Sequence, residues 1–110
     1  MAIIERSLSG DFDHILQKIE TGILNGSASA SLENESNFYG NGARCSVRVF
    51  ERYSAMGGNR VSLSVTLFQC GSETRISAIT SGGSQALLFK INTLGEEAFL
   101  QKLEEILDTL

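Results

Sequence analysis

The chain has 110 residues, of which 42% are hydrophobic and 20% charged, and its net charge is −4. This length predicts one domain over residues 1–110 with its own hydrophobic core, and the composition excludes intrinsic disorder. The negative charge disfavours nonspecific nucleic-acid binding, and no apolar run reaches the ~18–20 residues of a membrane span.

The N-terminal segment predicts a strand followed by a helix. Its first residues lack the basic and apolar regions of a signal peptide, so we expect a cytoplasmic protein. Residues 3–9 predict a short edge strand, and Ser9 or Asp11 is expected to cap the helix after it. This helix is expected to end at Gly22 or at Asn25-Gly26. Its apolar residues recur at helical spacing and form one stripe: Phe12, Ile15, Leu16, Ile19 and Ile23.

Four further strands are expected from apolar residues that alternate with polar ones. They are predicted over residues 27–38, 44–53, 60–70 and 73–80. Turns or loops are expected at Gly40-Asn41, at residues 55–59 and at Gly71-Ser72. The buried face is expected to carry Ala28, Ala30, Leu32, Val47, Val49, Val61, Leu63, Val65, Leu67, Ile76 and Ala78.

Matching these apolar faces predicts a strand register. Odd residues over 45–49 should pair with odd residues over 61–69, which places Cys45 and Cys70 on opposite faces of the sheet. A disulfide would then be geometrically forbidden, and a cytoplasmic protein keeps its thiols reduced. We therefore expect two free thiols, with Cys45 buried and Cys70 exposed at a turn.

The C-terminal segment ends in a second amphipathic helix. Glycines over residues 81–84 favour a bulge or turn, and residues 86–91 an extra strand or a continuation of the preceding one. Thr93 and Glu96 have the spacing of a capping box that opens the helix. Its polar side is expected to hold Glu96, Glu97, Glu104 and Glu105. Its apolar stripe is expected to hold Phe99, Leu103, Ile106, Leu107 and Leu110.

The elements predict an α+β fold in the order β-α-β-β-β-β-α. About five antiparallel strands should form one sheet, with both helices on one face. The layout is similar to TATA-binding-protein-like and helix-grip arrangements. The segments 82–86, 89–93 and 95–100 resemble a small bacterial family of unknown function, and this resemblance implies a fold without an activity.

No catalytic constellation is visible in the sequence. His14, the single histidine, lies in the first helical turn without companions of metal-ligand or triad type. The chain has no CxxC motif, and its glycine-rich segment lacks the Lys-Ser/Thr of a phosphate-binding loop. We therefore expect a protein that is not an enzyme and needs no cofactor.

An arginine-rich face is the one functional signal in the sequence. Neighbouring residues along a strand point to opposite faces of the sheet. Seven residues that alternate with the apolar core positions are therefore expected to project from the uncovered side: Arg44, Arg48, Phe50, Arg52, Arg60, Phe68 and Arg75. Arginines among aromatic rings bind phosphates, carboxylates or stacked bases. Phe68 and Arg75 should lie opposite each other as a cation–π pair. A solvated charge ladder with Glu33 and Glu35 is the competing interpretation.

Two functions remain open from the sequence. The first is a non-enzymatic interaction module whose arginine-rich face meets an acidic protein, an anionic ligand or a second copy of the chain. The second is a binding protein that holds a small apolar or anionic ligand between sheet and helices. A pocket of several hundred Å³ would favour the second function, and a filled core the first.

Overall fold

The computed structural model describes residues 1–54, 59–82 and 89–110, which form five strands and two helices. The strands are β1 (Ala2–Leu8), β2 (Ser31–Gly40), β3 (Ala43–Tyr53), β4 (Arg60–Cys70) and β5 (Glu73–Gly82), and the helices are α1 (Phe12–Asn25) and α2 (Phe89–Leu107). The predicted order and the α+β class are confirmed. The loop expected over 55–59 and the glycine break over 81–84 lie partly outside the described residues.

The strands form one antiparallel sheet in the order β1-β5-β4-β3-β2. The β4–β5 turn lies at Gly71-Ser72 as predicted. The β2–β3 turn lies at Asn41-Gly42, one residue later than predicted. Asn41 has φ 51° and Gly42 has φ 77°, and an Asn-Gly pair suits a tight hairpin because both residues tolerate this left-handed conformation.

One side of the sheet, called the helix face below, packs against both helices. Its buried apolar residues form a single cluster with α1 and α2. The six positions predicted for β4 and β5, Val61 to Ala78, all lie in this cluster. No helix among the described residues is long and apolar enough to cross a membrane.

Helix α1 follows its predicted stripe and begins at the predicted cap. Asp11 is the N-cap, and its carboxylate accepts a hydrogen bond from the His14 amide at 3.0 Å. The helix continues through Gly22, where a Cβ would lie 2.5 Å from Cδ1 of Ile106. Glycine therefore lets the two helices touch. Gly26 ends the helix at φ −79° and not in the left-handed conformation.

Helix α2 begins four residues before the predicted cap. Its first residue is Phe89, so Thr93 lies inside the helix and the capping-box prediction is wrong. Glu96 is buried instead of solvated; it accepts a hydrogen bond from the Gly82 amide at 3.0 Å and pairs with the Met1 amine at 2.5 Å. Of the strand considered over 86–91, residues 89–91 are helical and 86–88 lie outside the described residues.

The predicted stripe of α2 is largely confirmed. Four of its members are buried: Phe99, Leu103, Ile106 and Leu107. Leu100 is buried as well, whereas Leu110 lies beyond the helix and is exposed. The covering role of α2 therefore follows from its helical periodicity.

Strand β3 is turned over relative to the prediction. Odd residues of β3 pair with even residues of β4, for example Cys45 with Phe68. Phe50 consequently lies on the helix face, opposite Leu63, with 0% of its surface exposed. A slip of one residue exchanges the two faces of a strand. No tight two-residue turn sets this register, because β3 and β4 are separated by residues 54–59.

Strand β2 begins four residues later than predicted. Ala28 and Ala30 precede it, and Leu32 alone of the three predicted inward residues packs against the core. The pairing with β3 shifts between Leu32 and Asn34, which marks a bulge. The remainder of β2 is mostly exposed, so this strand forms a polar edge of the sheet.

Candidate functional site

The seven residues predicted to share one face are divided between the two faces of the sheet. The register places four on the helix face: Arg44, Arg48, Phe50 and Arg52. It places three on the opposite side, called the outer face below: Arg60, Phe68 and Arg75. The prediction of a single arginine-rich face is therefore wrong, because it depended on the incorrect face of β3.

Arg48 is a buried connection between β3, β2 and α1. The residue is 6% exposed, and its Nε lies 2.6 Å from a Glu20 oxygen and 3.3 Å from a Glu35 oxygen. Its Nη1 donates to the side chain of Asn37 at 3.0 Å. A cation with two carboxylates and an amide around it has little capacity left for a ligand, so Arg48 is a structural residue.

Arg44 joins β3 to the first turn of α1. Its guanidinium lies 4.0 Å from the centre of the Phe12 ring and donates to Asp13 at 2.8 and 3.2 Å. The hydrogen bond to Asp13 raises the pKa of Arg44 further above its ordinary value. Tyr39 of β2 contributes a second ring at 5.3 Å. Arg44 is therefore already paired.

Arg52 differs from the other arginines of the helix face. Its guanidinium lies 4.5 Å from the centre of the Phe99 ring, a cation–π contact with α2. No carboxylate of the described residues lies within ion-pair distance, and the undescribed residues 55–58 and 83–88 include neither Asp nor Glu. Desolvation by burial lowers the pKa of Arg52. A lowered pKa is expected for a cation that is partly buried without a nearby negative charge, because burial disfavours the charged form.

The outer-face arginines have two different environments. Arg60 pairs with Glu51 and, at 3.5 Å, with Glu33, as the charge-ladder interpretation expects. Arg75 is exposed and lies opposite Phe68 in the predicted register. The cation–π contacts among the described residues involve Arg44, Arg52 and Arg60, so the predicted Arg75–Phe68 contact is not formed.

The outer face carries an apolar surface that the sequence analysis missed. We call it the outer patch, and it consists of Ile3, Phe38, Val47, Val49, Phe68 and Ile79. Its four largest members are 42–61% exposed, and the two valines are half-buried. The available signals were the adjacent apolar pairs Ile3-Ile4 and Ala78-Ile79, since neighbours along a strand point to opposite faces.

Both cysteines are free and lie on the outer face. The predicted free thiols are confirmed, but Cys45 is half-buried instead of buried. The predicted opposite faces are wrong, because Cys45 pairs with Phe68 and Cys70 with Ala43, which makes the two cysteines diagonal neighbours. Diagonal positions are about 7–8 Å apart, beyond the usual reach of a disulfide.

This arrangement predicts the order of thiol reactivity. Cys70 is exposed at a turn and should react with Ellman's reagent before the half-buried Cys45. Denatured protein without reductant should show two thiols per chain. A Cys70→Ser variant should lose the fast phase and keep the slow one. Absence of free thiols after denaturation would contradict the observed separation of the two residues.

Within the described part of the chain, no three His, Cys, Asp or Glu side chains come together as a metal-binding group. His14 is exposed on α1.

A family model matches residues 1–110, and its family is described as a family of unknown function, DUF6054. No curated protein matches the chain.

Proposed function

The chain belongs to DUF6054, a family of unknown function, and we propose that it is a non-enzymatic interaction module whose outer face binds a second copy of itself. One observation carries this proposal: the outer patch exposes four large apolar side chains, and no described element covers it. Several large apolar side chains exposed on one face are typical of protein–protein interfaces.

The area of the outer face suits a dimer. Five strands at about 4.8 Å spacing and ten residues at about 3.3 Å give a face of roughly 700–800 Å². A stable interface buries roughly 800 Å² on each partner. The positions between the apolar groups hold the small residues Ser64 and Thr66, which allow two sheets to approach closely.

The charges of the outer face favour an identical partner over an acidic one. Arg75, Glu5 and Glu73 are exposed there, and none forms an ion pair within the described residues. A two-fold axis brings the same patch of each copy together, so Arg75 of one copy can meet a glutamate of the other. A purely basic face would instead have required a different, acidic partner.

We also propose the cytoplasm as the location, where reducing conditions keep an exposed thiol such as that of Cys70 free.

Sedimentation velocity over a concentration series tests the dimer. Wild-type protein should form a species of twice the 11.9 kDa chain mass, and Phe68→Glu should remain at the chain mass. The new carboxylate would face Arg75 across the strands, so the fold and its circular dichroism spectrum should persist. Because apolar burial drives this association, added salt should weaken it little.

Leu24→Glu is the matched control. Leu24 is also an exposed large apolar residue, at 36%, but it lies on α1, away from the outer face. This variant should dimerise like the wild type. A wild-type chain that stays monomeric at every concentration contradicts the proposal, as does a Phe68→Glu variant that still dimerises.

A further inference from the structure

A partly enclosed cavity of about 290 Å³ lies at one end of the layer between sheet and helices. Its walls come from the segment after α1, the end of β3 and the first half of α2: Gly26, Ser27, Arg52, Tyr53, Leu94 and Ala98. The middle of the same layer is filled by side chains such as Phe50 and Leu103, which have 0% exposure. The cavity is therefore confined to one end of the layer, and the middle of the layer is well packed.

Close contact between α2 and the sheet forms the floor of the cavity. A Cβ at Gly95 would lie 2.8 Å from Oγ of Ser54 and 3.3 Å from Cγ2 of Val61. Glycine at this position therefore lets α2 approach the ends of β3 and β4. One turn further along α2, Phe99 supplies the ring beneath the Arg52 guanidinium. The buried Phe99 ring thus holds the Arg52 guanidinium in place in the cavity wall.

The cation in this wall has no carboxylate partner among the described residues. Four of the six arginines in the sequence have carboxylate partners: Arg6, Arg44, Arg48 and Arg60. The fifth, Arg75, is exposed to solvent on the outer face. Arg52 is the half-buried arginine without such a partner among the described residues, and it faces the cavity. A desolvated cation is costly unless an anion meets it.

We propose that the cavity binds a small organic carboxylate, with the carboxylate paired to the guanidinium of Arg52 and the apolar part against Leu94 and Ala98. The planar fork of arginine matches a carboxylate with two parallel hydrogen bonds. Arg52 is the one charged side chain among the described lining residues, and one cation suits a monoanion better than a phosphate dianion. The volume of about 290 Å³ lies just below the roughly 300–1,000 Å³ of typical small-molecule sites, which limits the ligand to a small one.

The position of the site makes it independent of the proposed dimer. Arg52 lies on the helix face, whereas the outer patch lies on the opposite side of the sheet. An Arg52 variant should therefore dimerise like the wild type, and a Phe68 variant should keep the ligand site. Failure of one proposal leaves the other standing.

Titration followed by amide chemical shifts tests the site. The probes are sodium acetate, hexanoate and benzoate, with benzyl alcohol as the neutral match for benzoate and inorganic phosphate as the other anion. Hexanoate or benzoate should shift the Gly95 and Ala98 amides to saturation in the wild type, and benzyl alcohol should not. Arg52→Gln should weaken the binding about tenfold or more, because it removes a charged hydrogen-bond donor.

Arg75→Gln is the matched control, since it removes the same charge from the outer face and should bind the carboxylates like the wild type. The wild-type comparison of benzoate with benzyl alcohol decides the question even if Arg52→Gln folds poorly. Absence of saturable shifts with all three carboxylates would overturn the proposal. Equal affinity in Arg52→Gln, or tighter binding of phosphate than of any carboxylate, would overturn it as well.

Discussion

Arg48→Ala is expected to lower the free energy of unfolding by about 2–3 kcal/mol, measured by urea denaturation. The residue is 6% exposed and connects Glu20 of α1 to Glu35 of β2. Its removal leaves two carboxylates facing each other without their cation. Both carboxylates are partly exposed, so water recovers some of the loss, and the expected cost is below that of a fully buried ion pair.

Arg75→Ala is the matched control for Arg48, and its effect on the stability of the monomer should stay within about 0.5 kcal/mol. Arg75 is exposed and forms no ion pair within the described residues. Arg48→Lys should recover only part of the stability, because an ammonium group lacks the fork that reaches several acceptors. Equal effects of Arg48→Ala and Arg75→Ala would contradict the buried position of Arg48.

The elements that could be predicted from the sequence are those with a single consistent pattern. The stripe of α1 and the core positions of β4 and β5 each have one apolar face, so period alone assigns them. The hairpin at Gly71-Ser72 was also predictable, because this type of turn needs a positive φ at its first residue and glycine adopts one easily. Gly71 has φ 60° in the structure. In these places local preference and tertiary packing agree.

Strand β3 carries two competing patterns, which is why its face was not predictable. Val47 and Val49 suit a core on one face, and Phe50 suits a core on the other. The second arrangement buries the larger side chain. It also requires Arg48 to be neutralised by Glu20, which lies 28 residues away in sequence on a different element. No local pattern contains that information.

The candidate sites depend on the same assignment. Turning β3 over moves Val47 and Val49 into the outer patch and moves Arg52 onto Phe99. The sequence pattern had placed five arginines on one binding surface. In the structure, three of them are in ion pairs, one is exposed and one lies at a cavity. The sequence pointed to arginine as the residue type of interest, but the register decides which arginine lies at a cavity and which lie in ion pairs.

Phe99→Ala and Leu103→Ala should each lower the free energy of unfolding by about 2–5 kcal/mol, the largest effects expected for this chain. Both side chains are almost fully buried in the stripe by which α2 covers the sheet, so each truncation leaves a cavity. Glu105→Ala, on the opposite side of α2, should cost less than about 0.5 kcal/mol, since its contact with Lys102 at 3.8 Å is exposed.

The two core variants should differ in one further measurement. Phe99 lies beneath Arg52, whereas Leu103 is one turn further along α2. Carboxylate binding at the cavity should therefore weaken in Phe99→Ala and persist in Leu103→Ala under conditions where both variants are folded. If Glu105→Ala destabilised the protein more than Leu103→Ala, the phase of α2 would be wrong. The position of Phe99 under Arg52 would then be wrong with it, because both follow from the same helical face.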